Sequence, residues 1–445
     1  MNRRRFLAAL ALCAASAAFP GAALGVKRAA RPIRSAQGAP SGPLVPRKRL
    51  VVVFLRGGVD AVSVLPPCDD AFYRLARPTT ALPGPGQPGG VLPLAEGFFL
   101  HPALAPLVPW YRDARLAFVQ GLGTAAVIRD HDVARRVAET GLPDRPNAAD
   151  GWLNRLALEI GRQQAPDKGK KPDRTVQAVA LASKSPLILA GKAPVSVLPP
   201  GRFAYPPGEA SLPEIAALET TLAPLYAAKG VPAGLSRSYR EAVSWRRGRL
   251  AEYEREMVAS RNGDPPVSRF PDLAVRLVEE FRRLPGASLG FLPFGGFDTH
   301  VAQGAATGRL SEALSHAATG LCALANGLGP AFADTVIVVV SEFGRGLLEN
   351  AVGGTDNGHG GLAWLLGGAV AGGRVHGQTP SLAGRRLYRE RPLPVTMDFR
   401  EPLAAVITAH LGLPAEAVSR VFPGFEPRTS PQPFFTPDAG SSAPG

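Results

Sequence analysis

The sequence predicts an α/β fold, a mostly parallel sheet with helices on both faces. Three observations carry that reading. Apolar, β-branched runs of strand length stand at 49–55 (RLVVVFL) and 335–341 (TVIVVVS), the pattern of strands buried on both faces. A helix with a leucine stripe lies between two of the strands. Carboxylates and imidazoles gather just beyond strand ends, where open α/β sheets collect their ligands.

The chain begins Asn2-Arg3-Arg4-Arg5-Phe6-Leu7, continues through an apolar stretch from Ala8 to Phe19, and reaches Pro20 and the small-residue site Ala23-Leu24-Gly25. This is the pattern of a twin-arginine export signal over residues 1–25. The stretch falls short of the roughly 20 apolar residues of a permanent span, and Leu12 is too bulky before Cys13 for lipoprotein processing. The expected location is periplasmic or extracellular, with no stable transmembrane anchor and the export machinery as a partner. Residues 26–48, rich in Pro, Ala and Arg, read as a disordered spacer. Ten Lys and Arg and no acid fall within residues 1–49, so the formal +14 drops to +4 for the remainder. A mildly basic body gives no reason to expect nucleic acid. Only Cys68 and Cys322 lie beyond the leader. The protein is therefore no disulfide scaffold, and one bridge or two free thiols both fit.

The remaining body, residues 49–427, is long enough to bury a large core. Arg49 to Leu55 is the first strand, followed by Arg56-Gly57-Gly58-Val59-Asp60, a tight turn that leaves a carboxylate at the strand end. His101 to Tyr111 reads as a short helix and Arg115 to Gln120 as the second strand. Thr175 to Leu181 is a weaker third, Ser288 to Phe294 the fourth and Thr335 to Ser341 the fifth. Between the last two, Leu310, Leu314, Leu321, Leu324 and Leu328 form one helical stripe, giving a β-α-β unit with His316 off the stripe. Tyr239 to Val258 and Pro265 to Arg283 read as helices of an insertion, about residues 199–285, that caps the sheet. The tail, 428–445, reads as loose.

The candidate metal ligands are Asp60 after the first strand, Asp298 and His300 after the fourth, Glu342 after the fifth, and Asp356 and His359 in the next Gly-rich loop. Each alone has a bland reading: a strand-end Asp is often a helix cap, and a His in a Gly loop often meets a backbone carbonyl. Together they span three strand ends, and the Asp-x-His spacing at 298 and 300 puts both side chains on one side of an extended backbone. Mixed carboxylates and imidazoles suit a divalent cation.

The chain resembles the DUF1501 family of exported bacterial proteins over nearly its full length. The resemblance rests on Phe54-Leu55-Arg56-Gly57-Gly58-Val59-Asp60, His101-Pro102-Ala103-Leu104, Gly151-Trp152-Leu153, Phe297-Asp298-Thr299-His300, Ser341-Glu342-Phe343-Gly344-Arg345, the run Gly353 to Gly361 and Val421-Phe422-Pro423-Gly424. It implies a doubly wound, alkaline phosphatase-like sheet, one or two divalent ions (Zn, Mn, Ca or Mg) at its carboxyl edge, and hydrolysis of phosphate or sulfate esters. Two positions depart from the family pattern. Arg129-Asp130-His131-Asp132 puts Asp130 where a hydroxyl nucleophile is expected, and Asn357 stands where a His is expected.

An enzyme of this kind would hold one ion through Asp298, His300 and His359, and a second through Asp60, Asp356 and Glu342. Either metal-bound water would attack directly, Asp130 would serve as base or ligand, or another residue such as Thr299 would supply the nucleophile, with His131 as a metal ligand or orienting group. Arg56 and Arg345 would clamp an anionic ester or pair with a neighbouring carboxylate, the pairing being favoured for Arg345. The competing expectation is a catalytically degenerate protein that works in binding or assembly in the cell envelope. An oxidoreductase is disfavoured, because no strand-linked GxGxxG and no CxxC is present.

Overall fold

The computed structural model describes residues 44–45, 47–164, 176–205, 213–377, 393–428 and 434–436. The expected export signal, residues 1–25, and most of the expected spacer lie outside them. In chain order the strands are β1 (Arg49–Leu55), β2 (Leu92–Pro93), β3 (Phe99–Leu100), β4 (Leu116–Gly123), β5 (Ala178–Leu181), β6 (Val195–Leu198), β7 (Leu289–Phe294), β8 (Thr335–Val340), β9 (Arg345–Glu349), β10 (Thr355–Asn357), β11 (Gly361–Gly367), β12 (Arg374–His376) and β13 (Met397–Asp398). The helices that matter here are α1 (Ala61–Val64), α2 (His131–Thr140), α3 (Trp152–Gln163), α4 (Pro213–Ala227), α5 (Ala233–Ser260), α6 (Phe270–Arg283), α7 (Arg309–Leu328), α8 (Arg400–Ala405) and α9 (Ala415–Val421).

Because every residue of RLVVVFL is buried, β1 can only be a central strand. It pairs in parallel with β7 on one side and β8 on the other. The sheet runs β12-β4-β11-β8-β1-β7-β5-β6, with β13 also on β4. One strand is reversed: β11 is antiparallel to both β4 and β8. The expected mostly parallel α/β sheet is therefore present, and the unforeseen strands are mainly short ones and GLAWLLG, whose unbroken apolar run carries no period.

Alternation along β1 divides the core. Val51, Val53 and Leu55 point to one face, which α6 and α7 cover through Leu273, Leu277, Phe281 and the leucine stripe. Leu50, Val52 and Phe54 point to the other, covered by α3, α8 and α9. All five stripe leucines are buried and His316 is exposed, since helical period and sheet contact agree. The β-α-β crossover from β7 to β8 steps over β1, which occupies the middle of the sheet.

One expectation changes, and of the two alternatives left open for the cysteines the structure shows one. Phe434 and Phe435, in the tail expected to be loose, are buried in the second core, because two adjacent aromatics bury more apolar surface than an exposed tail can leave in water. Cys68 and Cys322 are free thiols.

Candidate metal centre

The carboxyl ends of β1, β7 and β8 meet the N-terminus of α2 and the β9–β10 hairpin. Gly57, directly after β1, has φ +116°, and a Cβ there would stand 2.1 Å from the backbone nitrogen of Asp298. A glycine is required at that point, since only bare backbone lets the two loops touch. Its N–H donates to Glu342 Oε1 at 2.8 Å and its carbonyl accepts from Arg345 Nη1 at 3.0 Å.

His131, Asp298 and His300 converge there, their potential ligand atoms all within 4.8 Å of one another. His131 Nε2 lies 3.3 Å from Asp298 Oδ2, and His300 Nε2 3.2 Å from Asp298 Oδ1. These contacts lack hydrogen-bond alignment. His131 Nε2, Asp298 Oδ2 and both nitrogens of His300 are buried without a hydrogen-bond partner. Buried polar atoms rarely stay unpaired, and the three of these that converge, one from each residue, fit a divalent cation between them.

The surrounding groups aim this cluster. Glu342 Oε1 lies 2.9 Å from His131 Nδ1, while its carboxylate also accepts from the hydroxyl of Ser341. Asp356 Oδ1 lies 3.6 Å from His300 Nδ1 and accepts from Tyr253 and Asn350. Each ring thus keeps Nδ1 beside a carboxylate and turns Nε2 inward, the orienting pattern of metal-binding histidines. Arg345, fully buried, donates to Asp298 Oδ1 at 2.7 Å, to Asn357 Oδ1 at 2.8 Å and to Thr355. It pairs with a carboxylate of the group and does not face the cleft.

Several expected site residues are placed elsewhere. Asp60 is completely buried and is occupied by Arg77, which grips it through two nitrogens at 2.6 and 3.1 Å; it also caps α1 and accepts from Gln303. Arg77, unforeseen as a partner, holds that carboxyl below its usual range against the opposing effect of burial. A carboxylate so neutralised has no charge left for a second ion. Arg56 is buried between Asp264 and Glu139, and so cannot clamp a substrate. Asp130 is an exposed helix cap whose carboxylate accepts from Val133 N–H at 2.9 Å. Thr299 spends its hydroxyl on Gln303. Glu342 and Asp356 stand behind the two rings, not among the converging atoms. His359 lies apart, lining an apolar cavity with Phe54, Trp152 and Phe399. His131 joins the metal group, as one of the two readings of that residue allows.

Burial disfavours the protonated form of His131, but the carboxylates of Asp298 and Glu342 outweigh it and raise its pKa from 6.5 to about 9. Asp298 is likewise held well below the ordinary range by Arg345 and the two rings despite burial. Because the folded value lies above the free one, this proton stabilises the metal-free protein fully below about pH 6.5 and ceases to do so as pH rises through about 9. An ion needs the same nitrogen unprotonated. Metal affinity is therefore expected to rise about tenfold per pH unit up to roughly pH 9 and then level. A chelator competition titration across that range checks it, and a flat profile between pH 7 and 9 would mean that His131 is already neutral.

Beside the group lies a cleft of about 230 Å³, lined by Arg129, Asp130, His131, Arg135, Glu256 and Asn357 among others. Fold and site together define a mixed α/β protein with a His/Asp/His group able to hold a metal ion at the carboxyl edge of its sheet. The family model described as "Protein of unknown function (DUF1501)" matches residues 241–422, a stretch that contains Asp298, His300, Glu342, Arg345 and Asp356. No curated protein matches the chain. Two solved structures are similar to it, "Crystal structure of Ps i-CgsB in complex with k-i-k-neocarrahexaose" and "Crystal structure of Ps i-CgsB". Their identities are 11% and 10% and their TM-scores 0.37 and 0.36, and each comparison covers 83% of this chain and 72% of the other. At such values they carry no argument about function.

Proposed function

We propose that this is an exported, metal-dependent hydrolase of phosphate or sulfate esters, of the alkaline phosphatase and sulfatase type. The observation that carries the reading is the cluster of unpartnered ligand atoms on His131, Asp298 and His300 beside an open polar cleft. A bound divalent ion supplies Lewis acidity there. The chain's own residues do the positioning: Arg345 fixes the Asp298 carboxylate, Glu342 fixes His131, and Asp356 flanks His300. Arg129, exposed at the cleft and without a carboxylate partner among the described residues, offers charge to an anionic ester. Export rests on the leader motif. Among the described residues no helix is long and apolar enough to cross a membrane.

The expected result is turnover of a generic phosphomonoester, phosphodiester or sulfate ester with added Zn, Mn, Mg or Ca, abolished by His300→Ala. Inactivity with all four metals would favour the second reading, a catalytically silent binding or assembly protein. That reading draws on one observation: the carboxylate of Asp130 and the hydroxyl of Thr299, the two groups considered as base or nucleophile, are both engaged in internal hydrogen bonds.

A further inference from the structure

The insertion helix α5 is poorly buried along most of its length. No described side chain from 233 to 250 is buried. Its last turns differ, because Tyr253, Met257 and Ser260 are each 6% exposed and share one face at helical spacing. Tyr253 and Met257 pack on Val301 and Val352, which flank the metal group from the loop after β7 and from the β9–β10 hairpin. The Tyr253 ring also stacks on His300, with centroids 4.5 Å apart and planes at 14°, and its hydroxyl donates to Asp356 at 2.9 Å.

Glu256 stands three residues beyond Tyr253, beside this face. Its Oε2 lies 3.2 Å from His300 Nε2, the nitrogen that also lies 3.2 Å from Asp298 Oδ1 and hydrogen-bonds to neither. One ring N–H cannot serve two carboxylates in different directions. A cation placed among them satisfies both together with the ring. Glu256 also lines the cleft, together with residues at the start of α2.

We propose that Glu256 is a fourth ligand, supplied by the insertion, so that loading the metal and seating α5 over the cleft are one event. The inference rests on the proposed metal centre. It makes the insertion a metal-dependent cover of the substrate cleft: with the ion present, α5 is additionally tied to the metal group through Glu256, and without it α5 rests on the packing of Tyr253 and Met257. The exposure of the Glu256 side chain, 41% against 3% for His300 and Asp298, fits a ligand that arrives with a movable element.

The test uses the full exported chain, stripped with a chelator and reloaded with Zn or Mn alone. It follows metal affinity by competition titration and protection of residues 233–260 by hydrogen exchange. In the wild type, loading is expected to protect the helix. Glu256→Ala is expected to keep the ion at about tenfold or more weaker affinity and to lose the added protection, while Tyr253→Phe keeps both responses. Unchanged affinity and protection in Glu256→Ala would overturn the inference and leave the three-residue centre standing. A wild type that takes up no metal would overturn both.

Discussion

Asp298→Ala is expected to leave the purified protein without metal, where the wild type retains about one ion per chain, as elemental analysis would read. Asp298 is the sole carboxylate of the converging group, and its two oxygens face the two inward nitrogens at 3.2 and 3.3 Å. Removing it takes away the only anionic ligand of the three, and the buried guanidinium of Arg345 loses its counter-charge. A buried charge stripped of its partner typically costs about 3–5 kcal/mol, so lost metal could reflect lost structure. His300→Ala separates the two effects. It removes a ligand nitrogen and leaves the Arg345–Asp298 pair intact, and is expected to lose metal with the fold retained. Metal at wild-type stoichiometry in both variants would place the ion elsewhere.

Arg77→Met is expected to destabilise the protein by about 3–5 kcal/mol while leaving metal content unchanged, read by denaturant melting and elemental analysis of the same sample. Both partners of the Asp60–Arg77 pair are fully buried. Arg77 also donates to the carbonyls of Gly346 and Leu347, tying the turn after β1 to the β9–β10 hairpin. The substitution leaves Asp60 charged and dry, held only by Ser63, Gln303 and its cap. Loss of metal at unchanged stability would return Asp60 to the ligand set.

These two carboxylates show how far a sequence can be read at such a site. Asp60 and Asp298 follow similar apolar strands and look equivalent in the sequence. Their roles diverge because an Arg 17 residues further on turns back into the first site, whereas Asp298 has an Arg on one side and two rings on the other. Glu256 left no signal at all. It sits in a charged helix where one acid looks like the next, and only its distance to His300 sets it apart. Arg56 misled in the opposite direction, since a conspicuous strand-end Arg is consumed by Glu139 and Asp264 from distant segments.

Local pattern by itself determined the type of the strongly patterned elements and the sheet's mostly parallel character. Runs buried on both faces must be central strands, a leucine stripe must lie on a sheet, and Asp-x-His after a strand must present both side chains at its carboxyl edge. The tertiary structure alone decided strand order, the single reversed strand, and which carboxylates stay available for a cation. The physical reason is that availability depends on neutralisation by partners such as Arg77, 17 residues from Asp60, and Arg345, 47 residues from Asp298, brought close only when the chain is folded.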